Sequence, residues 1–353
     1  MPDWLKPMQQ TFEYYEVDPG TWKDEKRLTN VKSSSISRDM EADTLGSASI
    51  NLYGTIQECY VRIYMITIQN GIRERIPLGT VLVQTPSVSF DGFVKQTTLD
   101  AYTPLIELKE NAPPLGYYIA ENANVMDEVG RLTEEHLRAP VVKVQSDKTL
   151  FKDFIANGND TWISFTRDLM NNADYRYDLD ELGRILFAPK QDTASLQPVW
   201  TFDDDNSSIL YPDLDIEHDI YGIPNAIEVV YADSKNQYYA KVINDDENSP
   251  ISTVNRGREI CKRIDNPEFP GEPTQAMITE YANRVLREQS SLEYIVSYTH
   301  GYCPVRPGDC VRLNYKRAGL NGVKARVISQ NIKCEPGCPV SEKAVYTKKL
   351  WEG

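Results

Sequence analysis

The stretch VRIYMITIQNG (Val61–Gly71) decides the fold class. Its side chains alternate with the period of two that belongs to a strand: Val61, Ile63, Met65 and Thr67 face one side, and Arg62, Tyr64, Ile66 and Ile68 the other. Asn70-Gly71 closes it with two residues that tolerate φ > 0, which is the chemistry of a tight hairpin turn. Upstream, similar alternation runs through Ile36 and Met40 and from Ser49 to Leu52. Downstream, a strand from about Val81 to Phe90 is bounded by Pro77, Gly79 and Asp91-Gly92, and Phe93 to Tyr102 completes a further hairpin. Short strands over the first hundred residues predict a small barrel or sandwich.

Beyond Pro113-Pro114 and Gly116 the period changes. Val125, Met126, Val129, Leu132 and His136 recur at helical spacing behind the polar start Asn122 to Asn124, predicting a helix over about 123–137 that Pro140 stops. A second helix is expected from Asp147, carrying Leu150, Phe151, Phe154 and Ile155 and closed by Asn157-Gly158. A third starts near Asp160 with Trp162, Phe165, Leu169 and Met170 on one face, and a strand, turn and strand follow through Tyr177, Gly183 and Phe187. From Asp203 to Asp219 there are seven acidic residues and no Lys or Arg, which reads as a solvated connection. The last section offers a hairpin, Ala226 to Tyr231 with Tyr238 to Ile243, turning at Ser234 to Asn236. A helix capped by Thr274 then presents Met277, Ile278, Tyr281, Val285 and Leu286, before strands at Tyr294 to Thr299, Cys310 to Tyr315 and Lys324 to Ile332. The chain is therefore expected to be a β-rich α+β protein with a β-domain at each end. The two ends share no repeat visible in the sequence.

The chain has 353 residues, enough for two or three domains. Its 41% hydrophobic and 25% charged residues are those of a folded globular chain. No apolar run approaches the 18 or so residues that cross a bilayer as a helix. The start, MPDWLKPMQQ, lacks the basic cluster and apolar core of an export signal, predicting initial residence in a cytoplasm. Fifty-two acidic against thirty-eight basic residues give a net charge of −14, which disfavours binding to a phosphate backbone. Twenty-one Tyr against nine Phe suits protein interfaces, and equally suits half-buried strand positions.

Reactive residues form no recognisable constellation. Cys303, Cys310, Cys334 and Cys338 lie in the last 51 residues, but the pairs enclose six and three residues rather than the two of a zinc knuckle. A disulfide across CEPGC is the alternative outside a cell, and buried free thiols are the default inside one. Cys59 and Cys261 read as core. His136 reads as a packed or capping side chain, and His300 has no nucleophile pattern beside it. G-x-S-x-G, Walker and dinucleotide glycine patterns are absent. Asp203-Asp204-Asp205 and Asp213, Asp215, Glu217 are candidates for a glycosidase pair or calcium ligands, yet lack the calcium-loop spacing, so solvated surface is preferred. No catalytic, cofactor-binding or metal-ligating residue is assigned.

Five phrases, in order, carry a resemblance: DTLGSASINL (Asp43–Leu52), YTPLIELKENAPPLGYYI (Tyr102–Ile119), NANVMDEVGRLTEEHLRAPVV (122–142), LDELGRILFAP (Leu179–Pro189) and VRPGDCVRLNY (Val305–Tyr315). Together they resemble the baseplate hub proteins of tailed bacteriophages, the late-control-D-like or tail-tip hub family, over nearly the whole chain. The resemblance implies two tail-tube-like β-barrel domains, residues 1–112 and 223–353, flanking an α+β middle domain at 113–222, with a helix at 274–290 inserted in the second barrel. It implies a structural protein of the virion: a homotrimer presenting six barrels in a ring. Such a ring joins the sixfold tail tube or distal tail ring to a threefold central spike, meets the C-terminus of the tape-measure protein, and passes genomic DNA without specific binding and without membrane insertion. A tail-associated peptidoglycan hydrolase is the alternative. A carbohydrate-binding β-protein would need exposed Trp platforms, whereas Trp162 and Trp200 sit in core patterns.

Overall fold

The computed structural model describes residues 2–90, 92–205, 208–232, 236–267 and 273–351. Strands hold 46% of the chain and helices 15%, which places it in the β-rich α+β class. Seven strands come first: β1 (Gln9–Val17), β2 (Asp24–Leu28), β3 (Val31–Asp39), β4 (Gly46–Tyr53), β5 (Cys59–Gln69), β6 (Ile72–Phe90) and β7 (Lys95–Tyr102). The deciding stretch forms β5 and its turn. Asn70 and Gly71 both have positive φ (52° and 79°), and Gln69 faces Ile72 across the hairpin, so the turn type sets the register.

Both faces of β5 are covered. Val61, Ile63 and Met65 enter the main core with Tyr14, Ile50, Leu78 and Leu99. On the other face Tyr60 packs with Val17 and Leu82, and Arg62 is buried. That guanidinium survives burial because every side of it is bonded: Nε donates to Thr80 Oγ1 (2.9 Å), Nη1 to Asp24 Oδ1 (2.9 Å), and Nη2 to the carbonyls of Trp22 (3.3 Å) and Leu182 (3.1 Å).

The middle elements are α1 (Ile106–Lys109), β8 (Tyr118–Ile119), α2 (Val125–His136), β9 (Phe154–Ile155), α3 (Trp162–Asn171), β10 (Tyr175–Leu179) and β11 (Ile185–Pro189). Asn124 caps α2 by accepting from the N–H groups of Met126 and Asp127, and Thr161 and Ser164 form a capping box on α3. The apolar faces of these helices meet around Val129, Leu132, Phe165 and Leu169, with Tyr177 and Ile185 of the hairpin closing the core. The helix expected from Asp147 does not form. Residues 148–155 are extended instead, because Val125 and Asn122 donate to the carbonyls of Lys148 and Leu150, and β9 pairs with β8. These cross-chain bonds outcompete a local helix, leaving Phe151 97% exposed.

The remaining strands are β12 (Pro198–Asp203), β13 (Leu210–His218), β14 (Ala226–Ala232), β15 (Gln237–Ile243), β16 (Cys261–Asp265), β17 (Ser291–Gly301), β18 (Cys310–Asn314), β19 (Val323–Lys333) and β20 (Pro339–Lys349), with helices α4 (Thr253–Arg256) and α5 (Gln275–Gln289). The acidic run expected to be a solvated connection contains strand β13. Its carboxylates hid a period-two pattern in which Leu210, Leu214 and Ile216 are the half-buried positions. The expected turns at Asp91-Gly92 and Ser234 to Asn236 fall partly outside the described residues.

The main sheet has 13 strands, in the order β13-β17-β20-β19-β3-β4-β7-β6-β5-β1-β2, with β12 and β18 attached through β19. It contains no closed barrel, so the two separate barrels expected from the sequence are not seen as such. The reason lies in β19, whose 11 residues serve two partners end to end: Val323 to Arg326 pair with β18, and Ser329 to Lys333 pair with β3. One continuous sheet thereby joins strands from both ends of the sequence. Gly46 makes its β3–β4 step possible: at φ 142° it lies against Ser37, whose carbonyl oxygen would overlap any Cβ there.

The chain divides into two compact units, one of 1–214 with 297–344 and one of 215–296 with 345–353. The second is built on a three-stranded sheet, β15-β14-β16, with α5 packed on it through Ile278, Ala282, Val285 and Leu286 against Ile227, Val229 and Ala240. Thr274 caps α5 as its sequence requires, its side-chain oxygen accepting from Met277 N–H.

Candidate functional site

Within the first unit, inward positions of β17, β19 and β20 place a polar cluster in the interior. Tyr298, His300 and Glu342 are all buried. Glu342 Oε2 accepts from Tyr298 Oη at 2.6 Å, and Oε1 accepts from Gln330 Nε2. Gln330 Nε2 also donates to the Val305 carbonyl (2.8 Å), and its Oε1 accepts from Arg38 of β3 (3.2 Å). His300 Nδ1 is 2.6 Å from the Gly301 carbonyl, an acceptor only, so the Nδ1 proton must lie there. His300 Nε2 comes within 3.1 Å of Glu342 Oε1 but out of line for a hydrogen bond, and has no hydrogen-bond partner among the described residues. Phe202 covers the cluster, with its ring 4.6 Å from that of His300. Burial and the neighbouring carboxylate hold the Tyr298 phenol well above its ordinary pKa, and burial raises the Cys303 thiol likewise. The cluster is closed off from solvent and ties β17, β19 and β20 together and, through Arg38, to β3.

Two apolar surfaces are exposed in the same unit. The β6–β7 hairpin carries Val88, Phe90 and Phe93, the two phenylalanines 69% and 94% exposed. The β8–β9 pair sets Tyr118 opposite Ile155, with Leu115 and Phe151 also exposed. Exposed apolar groups gathered in this way mark sites of protein contact. A cleft of about 250 Å³ in the same unit is lined by Arg176, Arg306 and Arg326 with Asp178 and Asp309.

The residues singled out in the sequence lie apart from one another. His136 stacks on Trp162 with ring centres 4.1 Å apart, a packing role. His218 lies against Tyr294, and His300 is in the buried cluster. All six cysteines are free thiols; Cys303, Cys310, Cys334 and Cys338 are buried, whereas Cys59 is half-buried and Cys261 exposed, against the expectation of core. Cys261 lies at an outward position of β16, beside Glu228 and Glu259. Those two acids already pair with Lys241, and Glu228 with Arg263 as well. None of the five tryptophans is exposed, which removes the platform a carbohydrate-binding surface would use. Sequence reasoning missed Glu342. Its signal was position, an acid between Val340 and Ala344 on the inward register of β20.

No family model matches the sequence, and no curated protein matches it. Solved structures do. A tail protein from Neisseria meningitidis MC58 superposes with a TM-score of 0.62 at 12% identity, over 97% of this chain and 98% of that one. The fold is that of phage tail proteins. The 43 kDa tail protein of prophage MuSo2 from Shewanella oneidensis agrees, with a TM-score of 0.60 at 10% identity over 95% and 98% of the two chains. A chain of the Francisella PdpA–VgrG complex matches with a TM-score of 0.57 at 8% identity, and 99% of this chain spans 54% of that one. The tail-protein fold thus runs the length of the sequence, and the resemblance read from its five phrases holds at the level of fold.

Proposed function

We propose that the chain is the hub of a phage tail baseplate, a structural component of the virion. The observation that carries this is the end-to-end likeness to two tail proteins, each covered over 98% of its own length. In this reading three copies form a ring. The N-terminal strands of residues 1–112 and the C-terminal strands within 223–353 are two tube-like modules per chain, and 113–222 faces outward or downward. Six modules from three chains match a sixfold tail tube or distal ring above and a threefold spike below. Unlike faces must meet head to tail for such a ring to close.

The role is one of joining and guiding rather than of bond-making. The lumen receives the end of the tape-measure protein and then the genome. A net charge of −14 suits a channel whose wall repels phosphate and lets DNA slide without sticking. Electron-microscopy class averages of the purified chain test the reading. Rings with threefold symmetry, a central hole and an acidic lumen are expected. Particles without a hole, or a lumen lined mainly by Lys and Arg, would contradict it.

A further inference from the structure

We infer, resting on the hub reading above, that the arginine cleft of the first unit is a carboxylate-binding site, and that its occupant is the acidic edge strand β13 of a second copy.

Three arginines line the cleft, and the chain engages them unequally. Arg306 is fully engaged, with its guanidinium 3.4 Å from Asp178 Oδ1 and 3.2 Å from Glu181 Oε1, and it also donates to the Leu179 carbonyl. Arg176 and Arg326 are different: among the described residues no carboxylate lies within ion-pair distance of either. Among the described residues Arg176 donates only to the Tyr177 carbonyl, at 3.4 Å. Arg326 donates to the Gln191 carbonyl, while its Nε is buried with no hydrogen-bond partner. The nearby acids are already engaged, Asp309 by the Arg306 N–H (2.8 Å) and Asp178 by the Leu179 N–H (2.8 Å) as well as Arg306. Gly308, at φ 98°, a backbone conformation that favours glycine, brings the turn before β18 against the Arg176 guanidinium. The site is thus shaped as well as charged. Its volume of about 250 Å³ leaves room for an Asp or Glu side chain. Burial already lowers the Arg176 pKa, and an incoming carboxylate would offset that desolvation.

The complementary surface is on the same molecule. Strand β13 ends the main sheet and, among the described residues, pairs only with β17, which leaves its other edge open. Asp213, Asp215 and Glu217 occupy alternate exposed positions along it, and none has an ion-pair partner among the described residues. Alternate residues of a strand share a face at about 6.8 Å spacing, so three like charges form a row that repels itself until cations face it. Cleft and row are different patches, so contact between them is head to tail, the kind that closes rings. Charge complementarity of this sort also fixes register and orientation between copies.

Sedimentation of the full-length chain over a concentration series tests this, with melting temperature reporting the fold of each variant. Arg326→Gln, Arg176→Gln and the pair Asp213→Lys with Asp215→Lys should each raise the concentration needed for assembly at least tenfold. Arg176→Glu combined with the two lysine substitutions should recover most of that loss. If the wild type assembles and every variant matches it, the inference falls and the acidic row serves only to keep an open edge soluble. If the arginine variants weaken assembly and the charge swap never rescues it, the occupant is not β13. A wild type that never assembles would instead remove the hub reading itself. Arg176→Gln carries the test alone should Arg326→Gln fail to fold.

Discussion

Replacing Glu342 by Ala removes the centre of the buried cluster. The carboxylate is 1% exposed and accepts from Tyr298 Oη and Gln330 Nε2, with His300 Nε2 3.1 Å away. Its loss orphans two buried donors, at about 1–3 kcal/mol each, so about 4 kcal/mol is expected. Tyr298→Phe removes one short bond to a charged acceptor and should cost about 1.5–3 kcal/mol. Urea unfolding at pH 7 by tryptophan fluorescence is a suitable assay, because Trp4, Trp22, Trp162 and Trp200 all belong to the first unit. The midpoint should fall with an unchanged slope. A cost below about 1 kcal/mol for Glu342→Ala would mean that the acid is not held as the structure places it, since surface substitutions alone stay within about 0.5 kcal/mol.

Stability should fall at alkaline pH. Burial raises the thiols of Cys303, Cys334 (to about 11) and Cys338, and the phenols of Tyr14, Tyr60, Tyr177 (to about 12) and Tyr302. The folded chain keeps protons that the unfolded chain gives up, so stability is full below the ordinary thiol range and lost as pH climbs through the thiol and phenol ranges. The slope is about 1.4 kcal/mol per pH unit for each proton by which the two states differ. Calorimetric melting temperatures that stay level from neutral pH to pH 10.5 would contradict this. Gly46→Ala should cost about 3 kcal/mol, since the new methyl meets the Ser37 backbone and must move a strand; an unchanged urea midpoint would show that β3 and β4 are not so close.

Strands with one dominant period were legible in the sequence, and elements set by distant partners were not. The β5–β6 hairpin could be read from Val61 to Gly71 because its turn and alternation are local. Helices α2, α3 and α5 could be read from their apolar spacing and caps. The segment 148–155 has enough apolar residues for a helix, but its backbone partners lie around Tyr117 to Val125, which no local pattern encodes. Strand β13 was hidden because carboxylates hold its outward positions, where charge guards an open edge. The joining of both chain ends into one sheet depends on β19 pairing with β3, nearly 300 residues away. As for the candidate sites, Glu342 and His300 show only as polar residues on inward registers. Arg176 and Arg326 give no sequence signal, because the cleft exists only once β10, β11 and β19 are assembled.

Native mass spectrometry of the full-length chain in a volatile buffer of moderate salt tests the central claim most directly. A ring hub predicts a dominant species at three times the 40.2 kDa chain mass, with dimers scarce because an open arc leaves its two ends unpaired. A monomer at all concentrations, or an even-numbered assembly such as a dimer or tetramer, would contradict it.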